Sequence, residues 1–147
     1  MADSREKMQR AGQLSIAYMM AIAGEFLRRF PIDFLDLLLV TTISNHNTLA
    51  PVRPPGRGVR KRTAPTPERA GISRNALSRM LHVPLETVRR RVAGLIAQKV
   101  LVEQADGLVF SPDNPMGLGN NADLAHFNLE LLRKLFRQLK DAGIDLD

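Results

Sequence analysis

Three consecutive arginines, Arg89, Arg90 and Arg91, follow Glu86 and Thr87 in the segment LETVRRRVAGLIA. A guanidinium carries five donors in a fixed planar fork, so an exposed arginine can grip a guanine edge or a phosphate through two bonds at once. Whether these three can do so depends on the element that carries them. Val88, Val92 and Leu95 recur at i, i+4 and i+7, flanked by Leu85 and Ile96, and the spacing predicts an amphipathic helix over 85–97. At about 100° per residue the opposite face holds Glu86, Arg90, Ala93 and Ala97, with Arg89 and Arg91 on its flanks. A helix with arginines beside small residues can enter a DNA major groove. Glu86 has two uses there: it can accept from a cytosine amine, or hold Arg90 as an i,i+4 partner.

Other chemistries lack their residues. The chain has no cysteine, hence no disulfide framework, thiolate ligand or cysteine nucleophile. His46, His82 and His126 fall in three different elements without the spacing of a metal site. The glycines of PPGRG and GLG lack the context of a phosphate-cradling loop, and no nucleophile elbow occurs. One tyrosine and no tryptophan leave little for stacking single-stranded bases. The expectation is a non-enzyme without cofactor or metal.

The elements around the arginines are legible as a series. Ile72, Leu77, Leu81 and Val83 predict a short helix and a tight turn before the arginine helix. Leu101–Gln104 and Leu108–Ser111 read as two strands around Asp106-Gly107, a pair that tolerates a tight hairpin turn. Upstream, residues 4–29 read as a helix that Ser4 can cap, apolar nearly all round and ending before Pro31. Ile32–Asn45 reads as a second apolar helix with Asn45, His46 and Asn47 as its polar end. Residues 50–71 hold five prolines and few apolar side chains, and predict an irregular basic loop. After the hairpin, a loop over 112–120 leads to a last helix, capped by Asn120 or Asn121 and stopped by Gly143. Its broad stripe of Leu124, Phe127, Leu131, Leu135 and Leu139, like the first helix, wants cover from a second subunit. The expected organisation is thus 1–30, 31–111 and 112–147: a central domain between two dimerisation helices.

Charge separates along the same lines. The whole chain carries +6, but residues 53–99 hold twelve Lys and Arg against Glu68 and Glu86, a local +10 between acidic flanks. Concentrated positive charge points to a polyanion partner for the centre. Arg53, Arg57, Arg60, Lys61 and Arg62 of the loop are candidates for electrostatic help on phosphates or in a minor groove, against the plainer possibility of a solvated linker. Ala11–Leu27, interrupted by Gln13 and Glu25, falls short of the roughly 20 apolar residues of a membrane span. A cytoplasmic protein without membrane partner is expected.

The segment HVPLETVRRRVAGLIAQKVLV, ending at Val102, resembles the recognition helix and first wing strand of bacterial winged helix-turn-helix transcription regulators of the GntR, MarR and catabolite-activator kinds. The long flanking helices are most like a MarR-type dimer, from which the basic insertion at 50–71 departs. The resemblance covers about a quarter of the chain. It implies a mainly α fold with a small β-hairpin wing, a winged helix-turn-helix with extra N- and C-terminal dimerisation helices. It also implies a homodimer that binds double-stranded DNA sequence-specifically and regulates transcription. Leu85, Glu86, Arg89 and Arg90 then fall where side chains reach base edges or phosphates, with Arg91 beside them, and Thr87 where a hydroxyl bonds a phosphate. Arg74 and Arg79 fall near the backbone. Pro84 stands where such helices commonly carry a Ser or Thr cap. A winged protein-interaction adaptor and a non-specific nucleoid protein remain the alternatives, and a small-molecule effector is not legible.

Overall fold

The structure is a computed structural model and describes residues 2–49, 70–117 and 121–146. It divides into two compact units. The arginine helix lies in the unit that runs from Leu35 through the hairpin, built on α2 (Phe34–Leu49), α3 (Arg74–Leu81), α4 (Leu85–Ala97), β1 (Leu101–Gln104) and β2 (Gly107–Phe110). The other unit pairs α1 (Ala2–Arg29) with α5 (Ala122–Asp141). The fold is therefore mainly helical, with a two-stranded antiparallel hairpin directly after α4 in a winged-helix-like arrangement. Among the described residues no helix is long and apolar enough to cross a membrane.

In the winged unit the core is aliphatic. Leu39, Val40 and Ile43 of α2, Leu77 of α3, and Val88, Val92 and Leu95 of α4 are all buried, as the helical spacing requires. Leu101 of β1 and Leu108, Val109 and Phe110 of β2 complete it. β1 pairs with β2 in a register that sets Leu101 opposite Phe110 and Gln104 opposite Gly107. Ile72 adds a one-residue third strand, exchanging both backbone hydrogen bonds with Leu108 at 3.1 and 2.8 Å.

Backbone closures hold the helices in order. Ser73 caps α3 by accepting from the Ala76 amide at 3.1 Å. His82 ends the same helix in the left-handed conformation at φ 52°, and the Ser78 hydroxyl donates to the Val83 carbonyl at 2.6 Å across the turn. Pro84 is the residue before α4 and offers no side-chain cap. Lys99 closes α4 in the left-handed region at φ 60°, with the Val100 amide donating to Leu95 and the Lys99 amide to Ile96. Gly143 closes α5 by the same pair of bonds, and Asn121 caps its start.

Several expectations shift. α1 begins at Ala2, so Ser4 lies inside its first turn rather than capping it. α2 starts two residues later than expected and runs on to Leu49, carrying Asn45, His46 and Asn47 as helix rather than as a polar end. Gly107 opens β2 instead of closing the turn, and the two turn residues are Ala105 and Asp106. Its glycine is needed for another reason as well: at φ 133° a Cβ would lie 2.6 Å from the Ile72 carbonyl.

In the two-helix unit, the Tyr18 hydroxyl donates to the Asn128 carboxamide, and the Lys7 side chain lies near Gly143. The start of α1 therefore meets the end of α5, and the pair runs antiparallel. Leu14, Phe26 and Leu139 are its buried apolar residues, and the Phe26 and Phe30 rings pack at 4.8 Å. Arg28 and Arg29 both donate to the Glu25 carboxylate and hold its pKa down to about 2.

Among the described residues of the winged unit, Asn47 is the buried polar side chain. Its amide donates to the Ala70 carbonyl at 2.7 Å and the Leu108 carbonyl at 3.2 Å, and its oxygen accepts from the Phe110 amide at 3.2 Å. Removing it takes three hydrogen bonds from the backbone of Ala70, Leu108 and Phe110, of which the Leu108 carbonyl keeps the Ile72 amide. Asn47→Ala should cost about 2–3 kcal/mol and lower Tm by roughly 10–20 °C in thermal denaturation. A fall of only about 2 °C would show that the carboxamide is dispensable to the hairpin.

Candidate nucleic-acid interface

α4 buries Val88, Val92 and Leu95 and leaves Glu86, Arg89, Arg90, Ala93 and Ala97 exposed. The exposed arc is the one the helical spacing puts opposite the aliphatic stripe. Leu85 and Thr87, at the start of the helix, are half-buried. A helix so exposed, with no large side chain beyond its arginines, has the shape to lie in a major groove about 12 Å wide.

The basic residues differ in what already holds them. Arg91 reaches back to Asp36 of α2 at 3.5 Å and ties the two helices together. Glu86 lies 3.6 Å from Arg89, a loose pair in which both partners are solvated, and is not the partner of Arg90. Arg90 is exposed and makes no ion pair among the described residues. Arg79 stands exposed on α3, likewise without an ion pair among the described residues. Arg74, at the first position of α3, is half-buried and pairs across to Glu103 on β1. Arg53, Arg57, Arg60, Lys61 and Arg62 lie outside the described residues.

Arg74 and Arg89 meet at a groove of about 390 Å³ between the start of α3, the flank of α4 and the hairpin. Glu103, Gln104 and Asp106 form its hairpin side. The sequence leads one to expect the wing 101–111 as a whole on a DNA backbone or minor groove, but not these three opposite Arg74, where only the strand register and the Ile72 bridge bring them. Among the described residues no group of three or more His, Asp or Glu could hold a metal ion.

No family model, curated protein or solved structure matches the chain. The interface therefore has to be read from its own chemistry.

The hairpin is anchored through Asp106. One carboxylate oxygen accepts from the Gly71 amide at 2.8 Å, the other from the Gln104 side chain at 2.8 Å. The Gly71 amide first, then Gln104, and more weakly the charge of His46, hold this carboxyl below the usual carboxylate range. A depressed pKa means the anchor is complete above the unfolded-state value of about 3.9 and is lost as pH falls through the lower folded value. The Gly71 amide resonance should therefore titrate with a midpoint below about 3.9 and stop titrating in Asp106→Asn. A midpoint at or above that value would mean the carboxylate gains nothing from the contact.

Proposed function

We propose that this protein is a homodimeric, sequence-specific regulator of transcription that binds double-stranded DNA, with α4 in the major groove and the hairpin on the backbone or in the minor groove. The observation that carries the reading is Arg90: a charged fork on the exposed face of a helix whose opposite face is locked into an aliphatic core, and with no acidic partner among the described residues. The local +10 over 53–99 supports a polyanion as partner. The resemblance to winged helix-turn-helix regulators points the same way.

Dimerisation is part of the proposal because the two-helix unit leaves apolar surface open. Met8, Ile16, Met19 and Met20 of α1 and Leu129 and Phe136 of α5 are 44–74% exposed. With about 100° per residue and antiparallel helices, Met8 and Met19 emerge on the side where Leu129 and Phe136 emerge, and Ile16 and Met20 extend the strip around α1. Six large side chains so exposed offer several hundred Å², approaching the roughly 800 Å² per partner of a stable interface. A second copy applied by two-fold symmetry completes a four-helix bundle. It also repeats α4, so that a pseudo-palindromic site with half-sites about 10–10.5 bp apart is expected.

Arg90→Ala should weaken binding to the cognate duplex by about 1–3 kcal/mol and relax preference at one base pair, read by titration against a panel of single-base variants. Equal loss on every duplex would make Arg90 a phosphate contact and favour a non-specific nucleoid protein. No duplex binding at physiological salt would favour the protein-interaction adaptor.

Met19→Asp places a charge in the middle of the apolar strip. In sedimentation equilibrium the wild-type chain should run at twice its 16.4 kDa and the variant at that mass, with α-helical content retained. A variant that remains dimeric would remove this face from the interface.

A further inference from the structure

We propose that the groove between α3 and the hairpin is a seat for a backbone phosphate of nucleic acid, and that Glu103 occupies its principal arginine, Arg74, until the phosphate arrives. The inference rests on the DNA-binding reading and adds to it a site and a competing group.

Two arginines and two carboxylates line the groove, but the two carboxylates are held differently. Asp106 spends one oxygen on the Gly71 amide and the other on Gln104, so its charge is committed to the hairpin's own architecture. Glu103 has Arg74 as its single partner among the described residues. Its side chain is 55% exposed, against 29% for Arg74. The carboxylate is therefore the outer member of the pair, and a change of rotamer carries it into water. The β1–β2 ladder does not depend on it, since Glu103 only stands opposite Leu108, whose amide and carbonyl both bond Ile72 instead.

A phosphodiester presents the same thing to the guanidinium fork that Glu103 does: one negative charge on two oxygens. Exchange of one for the other leaves Arg74 paired throughout, and a half-exposed ion pair is weak enough to open readily. Arg89 lines the same groove and is held only loosely by Glu86 at 3.6 Å, so it can close on the same phosphate from the α4 side. Glu103 thus lowers affinity for any duplex by competing for Arg74, without touching the bases that Arg90 reads. A loosened grip on random sequence is what a regulator needs to leave non-cognate sites.

The test uses the full chain and a fluorescent random-sequence duplex, with dissociation constants measured by anisotropy over a series of salt concentrations. Glu103→Gln keeps the side chain's shape and removes its charge. It should tighten binding roughly three- to tenfold and steepen the slope of log K against log salt by up to about one ion. In an Arg74→Gln background the same change should give no gain. If Glu103→Gln binds no tighter than wild type, or gains as much without Arg74 as with it, the exchange is refuted while the regulator reading stands. If the wild-type chain binds no duplex, that reading falls and the seat falls with it.

Discussion

One buried carboxamide holds the winged unit to its geometry. A two-stranded hairpin is at best marginally stable in water by itself, and β1 and β2 have only four residues each. The outer edge of β2 meets a strand at a single residue, Ile72, so any further partner on that edge comes from outside the sheet. Asn47 supplies those partners from α2, accepting from Phe110 and donating to Leu108 and Ala70. A hydroxyl is too short to serve three groups, and an aliphatic side chain would serve none of them, leaving the Leu108 carbonyl with the Ile72 amide. The same residue thus fixes the hairpin against α2 and brings in the chain at Ala70, just before α3 begins.

The second constraint is the turn between α3 and α4, which sets the angle at which the arginines leave the core. Left-handed backbone is strained for residues with a Cβ, and here His82 and Lys99 adopt it at the ends of consecutive helices. Each is held by a bond from the following amide to a carbonyl five residues back, Val83 to Ser78 and Val100 to Leu95. Of the two following residues, Val100 is buried and Val83 half-buried. Packing of the inward residue selects the closure, and the closure tolerates a polar or basic residue at the strained position because its side chain points to solvent.

What the sequence made legible is what depends on periodicity and on short-range chemistry. The stripe Val88, Val92, Leu95 named the buried face of α4 and, by difference, its exposed arginines. Asn121 and Gly143 marked the ends of α5 because their roles involve only neighbours in the chain. The unread parts depend on partners distant in sequence. Asn47 looked like a polar helix end because nothing local shows that the backbone of Ala70, Leu108 and Phe110 will arrive around it. Gly107 fitted a hairpin turn equally well as a close approach to Ile72, and only the register separates the two. Among the candidate site residues, spacing placed Arg90 outward but could not distinguish Arg89 from Arg91 on its flanks, because the difference lies in Asp36 on another helix.

That difference orders the arginines by how much of their charge remains to be used. Arg91 is paired with a carboxylate that is itself only 19% exposed, so the bond is partly shielded from solvent and serves to orient α4 on α2. Arg74 and Arg89 are paired with carboxylates more than half exposed, bonds that water and salt weaken and that a competing anion can replace. Arg90 has no ion pair among the described residues to give up. An anion approaching this face would therefore meet a graded surface: one arginine without an ion pair among the described residues, two whose pairs exchange at little cost, and one that keeps α4 in place. Attraction of an anion and fixed orientation call for different arginines, and three in a row supply both only because the core behind them sets Arg91 against Asp36, Arg89 beside Glu86 and Arg90 outward.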